Sequence, residues 1–114
     1  MDDCLFCKMV SREIPSNIVF ENDSVLAFRD IDPKAPTHIL VIPKKHIQSI
    51  NELGPDDQSL AGEILLAAKT IAKAEGIETS GFRTVFNTND DGGQTVFHIH
   101  MHVLGGRRLS WPPG

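Results

Sequence analysis

Three histidines, His98, His100 and His102, alternate with Ile99, Met101 and Val103 near the end of a 114-residue chain. Alternate residues of an extended strand share a face, so this spacing predicts three imidazoles on one side and an apolar stripe on the other. Residues two apart in a strand stand about 6.6–6.8 Å apart, which lets two rings contact one small tetrahedral group. Two chemistries suit the pattern. An imidazole, with a reference pKa of about 6.5, is mostly neutral at pH 7 and can attack phosphorus through a ring lone pair. Alternatively, the three rings share a zinc ion that activates water. Attack through one ring nitrogen requires the proton on the other, where a backbone carbonyl is expected to accept it. The preceding Asp91-Gly92-Gly93-Gln94-Thr95 brings two glycines, whose amides can approach an anion closely, and a hydroxyl.

The elements that must position these groups follow from periodicity and punctuation. Residues 4–12 predict a short helix ended before Pro15. Ile18–Phe20 and Val25–Phe28 read as a hairpin around Glu21-Asn22-Asp23-Ser24, and Thr37–Ile42 as a strand covered on both faces. Leu60, Ile64, Ala68, Ile71 and Ala72 recur at helical spacing within 55–75, with Pro55 at the start and Gly76 at the stop. Phe82–Asn87 and Val96–Leu104 are two more strands joined by a long hairpin loop over 88–95. Few crossovers are available, so the fold class is α+β. The expected architecture is a single five-stranded antiparallel sheet with one long and one short helix, over 1–114 as one domain with 105–114 as its tail.

Composition narrows the function classes. Hydrophobic residues make up 40% and charged residues 23% of the chain, the mix of an ordinary globular domain rather than a disordered or fibrous one. A chain of this length buries roughly two thirds of its unfolded surface. A net charge of −4 argues against a nucleic-acid partner. No apolar run approaches the ~20 residues that span a bilayer, and the acidic start is unlike a signal peptide, so no membrane and a cytoplasmic location are expected.

His98-Ile99-His100-Met101-His102-Val103-Leu104 fits the pattern His-φ-His-φ-His-φ-φ with φ apolar. The chain resembles the histidine triad superfamily, and its nucleotide-binding branch in particular. The likeness extends to Leu26-Ala27-Phe28-Arg29-Asp30-Ile31, Ala35-Pro36-Thr37-His38, Val41-Ile42-Pro43-Lys44-Lys45-His46, Asn87, Asp91-Gly92-Gly93-Gln94 and the ending Trp111-Pro112-Pro113-Gly114. The resemblance implies a homodimer whose two sheets join. It also implies hydrolysis of purine nucleoside phosphoramidates of the AMP type, with no cofactor required for catalysis. Carried over by position, His100 attacks the α-phosphorus to form a nucleotidyl-histidine. His102 holds a nonbridging oxygen, and His98, touching His38, orients His100. Gly93, Gln94 and Thr95 bind phosphate, Asp30 takes the ribose hydroxyls, Phe28 and Ile31 flank the base, and Asn87 lies near sugar and phosphate. Trp111 is expected to dock on the partner subunit. A three-histidine metallohydrolase and a nucleotide sensor without turnover stand as alternatives.

Cys4 and Cys7 have the spacing that supplies half of a tetrahedral zinc site. His38 and His98 are the expected other half of a structural zinc; two small buried side chains, or a redox pair, are the other readings. Lys44, Lys45, Arg107 and Arg108 read as solvated charge, and His46 as structural.

Overall fold

The computed structural model describes residues 3–114. A hairpin of β1 (Ile18–Glu21) and β2 (Val25–Arg29) opens the sheet. Asn22 makes its turn, because its side-chain oxygen accepts the backbone N–H groups of both Ser24 and Val25. β3 (Thr37–Pro43) is buried along its whole length, as its unbroken apolar run requires. β4 (Phe82–Phe86) and β5 (Met101–Gly105) complete one sheet in the order β1-β2-β3-β5-β4, every neighbour antiparallel. The α+β class and the single five-stranded antiparallel sheet are therefore as expected.

Each sheet face has its own helix. α2 (Gln58–Ala74) follows a 3-10 turn at Pro55–Asp57. It lays Ile64, Ala67, Ala68 and Ile71 on Val25, Ala27, Ile39, Val41, Met101 and Val103. Gly76, at φ +74°, ends it in the left-handed conformation. On the other face, α1 (Leu5–Val10) drives Phe6 into Leu26, Phe28, Leu40 and Ile42. Burying such side chains contributes about 1.5–3 kcal/mol each, so both faces of β3 are clamped.

The last strand differs from expectation. It begins at Met101 rather than Val96, and the expected hairpin loop contains a single helical turn, α3 (Asn89–Gly92). Two physical reasons account for this. Pro43 at the end of β3 has no N–H to continue the ladder, and the Ile99 N–H instead donates to Ile47 O at 2.6 Å. The Gln94 amide also pins the loop, donating to Gln48 O (2.7 Å) and Val96 O (3.0 Å) while accepting the Asn89 N–H (3.0 Å). His98 and His100 thus precede the strand; the three imidazoles still lie on the α1 side, with Phe6 meeting His98 and His100 and His102 beside His100, while Met101 and Val103 face α2.

The tail begins one residue later than expected, since Gly105 still pairs with Thr37 and Phe82. Gly106 turns the chain away at φ +91°, where an added Cβ would stand 2.8 Å from Pro36 Cβ. Arg83 donates to Ser110 O at 2.9 Å, and Trp111 beyond it is 80% exposed. No helix among the described residues is long and apolar enough to cross a membrane.

Candidate active site

A cavity of about 250 Å³ opens between α1, the end of β2 and the triad segment. Phe6, Phe28, Leu40 and Val96 give it apolar walls, and Asp30, Thr95, His100 and His102 give it polar groups. Phe28 is buried and meets Phe6 edge-on at 5.4 Å, while Ile31 sits at the mouth, 99% exposed. Asp30 is anchored by accepting the Asp32 N–H at 2.8 Å. Of the buried side-chain polar atoms among the described residues, two lack a hydrogen-bond partner, Ser16 Oγ and His102 Nε2, and both belong to residues that line this cavity. Unpartnered buried polar atoms are costly, and a pair of them at one cavity points to a polar ligand there.

The hydrogen bonds fix where the ring protons sit. His100 Nδ1 lies 2.8 Å from His98 O and must donate to it, as expected, which leaves the lone pair on Nε2. The Lys34 backbone N–H donates to His38 Nδ1 at 3.0 Å, so the His38 proton sits on Nε2. His38 Nε2 is 2.9 Å from His102 Nδ1 and donates to it, which leaves the neutral His102 with its proton on Nε2. Two rings 5.0 Å apart therefore offer opposite functions, a lone pair on His100 and an N–H on His102. Burial holds His38 and His100 below the ordinary imidazole value. Burial first, then the neighbouring His100 and His38, pushes His102 down to about 4.

This shift contributes to the pH dependence of stability, in the same direction as the other buried imidazoles. Between pH values of about 4 and 6.5 the unfolded chain carries the His102 proton and the folded chain does not. The contribution is therefore full above the upper value and is lost as pH falls towards the lower one. Unfolding free energies from urea titrations should drop between pH 7.5 and pH 5, and His102→Gln should reduce that drop by about 1–2 kcal/mol, a figure that allows for partial solvent screening.

His98 turns away from this cavity. Its Nε2 donates to Pro43 O at 2.8 Å, so its Nδ1 lone pair points among Cys4 Sγ (3.3 Å), Cys7 Sγ (3.5 Å) and His46 Nδ1 (3.2 Å). These four donor atoms lie within 4.8 Å of one another, a Cys₂His₂ set of the kind that suits zinc. Burial pushes His98 down to about 4, and burial with the adjacent Cys4 thiol raises Cys7 to about 11. A divalent metal would take the imidazole lone pairs and displace the thiol protons.

The geometry corrects four expectations. His38 is not beside Cys4 and Cys7, nor does it touch His98; it belongs to His102 and Asp30, 3.5 Å from the Asp30 carboxylate, and His46 takes its place in the cysteine cluster. The reason is strand direction: β3 and β5 run antiparallel with Leu40 opposite His102, so His98 falls near the far end of β3, towards His46. Gly93 and Gln94 do not form an amide cradle, since their N–H groups donate to Asp90 O and Asn89 O and the Gln94 side chain is held internally. Thr95 does line the cavity, whereas Asn87 does not. Finally, the three triad rings do not converge on one point, which removes the geometry of a three-histidine metal centre. Phe6 and Ser16 were missed by sequence reasoning; the only signal for Phe6 was its place between the two cysteines.

The fold and the triad define a class, and the whole-chain comparison agrees with it. The HIT domain family matches residues 11–109, and the chain belongs to that family. It is 55% identical to an uncharacterized HIT-like protein of Synechococcus elongatus, over 99% of this chain and 98% of that one. It superposes with a TM-score of 0.96 on a HIT family hydrolase from Legionella pneumophila at 57% identity, covering 98% and 100% of the two chains. A histidine triad nucleotide-binding protein from Candida albicans aligns at a TM-score of 0.82 and 30% identity, covering 96% and 83%.

Proposed function

We propose that this protein hydrolyses the P–N bond of purine nucleoside phosphoramidates of the AMP type through a nucleotidyl-histidine on His100. The observation that carries this reading is the complementary pair in one cavity, an Nε2 lone pair on His100 beside an Nε2–H on His102. His100 Nε2 attacks phosphorus, and the His98 carbonyl stabilises the charge that develops on the ring through the Nδ1–H bond. The His102 N–H binds a nonbridging oxygen, and the chain through His38 to the Lys34 amide holds its tautomer. As the P–Nε2 bond forms, the substrate P–N bond breaks and the amine leaves with a proton from solvent; water then attacks phosphorus, breaks the P–Nε2 bond, and releases the nucleotide, a proton and neutral His100. Asp30 suits a ribose diol, since a carboxylate accepts from two hydroxyls, and Phe28 with Phe6 suits a flat base. The Legionella and Candida relatives, described as a hydrolase and a nucleotide-binding protein, support the same reading. Enzyme quenched during turnover of adenosine 5′-monophosphoramidate should show an adenylyl mass on the peptide containing His100. Absence of the adduct while product accumulates at full rate would overturn the reading.

We further read the Cys4, Cys7, His46 and His98 cluster as a structural zinc site. When bound, the metal supplies a cross-link from α1 to the triad segment, and four protein ligands leave it no open position for substrate. The functional unit is a homodimer joined along β4, the sheet edge that follows β5, where Phe82 is exposed and the tail with its exposed Trp111 is tethered through Arg83. Sedimentation equilibrium should return twice the chain mass, and a monomer at micromolar concentration would contradict it. The purine nucleotide is a small-molecule partner, and the cytoplasm is the location that fits two free thiols.

A further inference from the structure

Cys4 lines a second cavity beside the proposed nucleotide cavity, and Cys7 lies behind it, against His46 and His98. This second cavity, of about 370 Å³, is lined by Cys4 and His46 on one side and by Leu5, Thr95 and Val96 on the other. Those last three residues also line the proposed nucleotide cavity. Both thiols are free and half-buried, their sulfurs lie within 4.8 Å of each other, and the Cys7 N–H donates to Cys4 Sγ at 3.3 Å. Between them stands Phe6, whose ring meets His100 edge-on at 5.1 Å, His98 at 5.9 Å and Phe28 at 5.4 Å. One helical turn thus carries both thiols and the aromatic ring that braces the reactive imidazole.

We propose that Cys4 and Cys7 form an oxidation site for hydroperoxides, and that closing their disulfide loosens the nucleotide site through Phe6 and His98. The cavity gives a small peroxide access to Cys4. Its sulfur attacks the peroxide, the O–O bond breaks, and a sulfenic acid and one water form. The Cys7 sulfur then attacks the sulfenic sulfur and expels the second water, so two thiols and one hydrogen peroxide become a disulfide and two waters. An S–S bond of about 2.05 Å draws together the two sulfurs that now contact His98 Nδ1 and His46 Nδ1, and so displaces both from their present positions. That alters the thiol contacts at His98 Nδ1, leaving the Nε2–H bond to Pro43 O as its anchor, and tilts the turn bearing Phe6. His98 O is the acceptor for His100 Nδ1, so the disturbance reaches the attacking ring. A bound metal and the disulfide exclude each other, because both use the same two sulfurs.

The coupling to nucleotide binding rests on the function proposed above, whereas disulfide formation does not. The full chain, reduced and freed of metal, is treated with hydrogen peroxide, then alkylated and weighed intact. The expected product has lost two hydrogens, carries no alkyl group and runs as an unlinked chain, and prior zinc loading prevents its formation. Sulfinic acid or cross-linked chains as the main product would overturn the proposal. In the same samples the His98 and His100 imidazole resonances should shift on oxidation, and AMP affinity should fall roughly tenfold and return with dithiothreitol. Cys4→Ser should show neither change, and the Cys7→Ser variant controls for damage at other sites. Unshifted imidazoles in the disulfide form would sink the coupling, whereas a reduced protein that never binds AMP would sink the nucleotide reading instead.

Discussion

His100→Ala turns over adenosine 5′-monophosphoramidate roughly 10⁴-fold or more slowly than the parent, with binding of AMP retained within a few-fold. The size follows from what is lost, since removal of a covalent nucleophile removes the pathway rather than one stabilising contact. No other group in the cavity replaces it: His102 presents its proton rather than a lone pair, and Asp30 is held by the Asp32 N–H. His100 is buried, so a packing defect has to be separated from a chemical one. His100→Asn fills more of the space and should be equally inactive. Both variants should keep a urea midpoint above the assay condition and give no adenylyl adduct. Equal and negligible rates for parent and variant would leave a nucleotide sensor as the surviving interpretation.

Zinc should stabilise the reduced protein by about 2.7 kcal/mol at a hundredfold excess over its dissociation constant, as an increase in the urea midpoint. Cys7→Ser, which removes a ligand whose sulfur lies 3.3 Å from His46 Nδ1, should abolish that increase. Exhaustive chelation should lower the midpoint again and yet leave hydrolysis within a few-fold, because the His100 and His102 nitrogens in the cavity are not members of the sulfur cluster. Complete loss of hydrolysis on chelation, restored by zinc, would move the chemistry to a metal. The pair of measurements separates stability from reaction, which is the division the two clusters make in space. Cys4, Cys7, His46 and His98 hold α1 to the triad segment; His38, His100 and His102 hold protons.

Much of this was legible in one dimension. Periods of two and of about 3.6 residues report burial directly. The apolar run of Thr37–Pro43 became a strand covered on both faces, and the spaced Ile64, Ala68 and Ile71 became the stripe of α2. Alternation also placed Met101 and Val103 on the helix side of β5. What failed was the extension of the strand itself back to Val96. A strand continues only while its neighbour can donate and accept, and Pro43 and the Gln94 clamp end the ladder at Met101.

Residue types and local order alone determined the five strands, the long helix, the His-rich segment and the thiol pair, because each is a property of neighbouring positions. Which histidine meets which group was decided only in three dimensions. Two strands that run in opposite directions bring His102 to His38 and carry His98 to the far end, beside His46. Strand direction is a relation between segments some 60 residues apart, Leu40 and His102 among them, and no spacing within either segment encodes it.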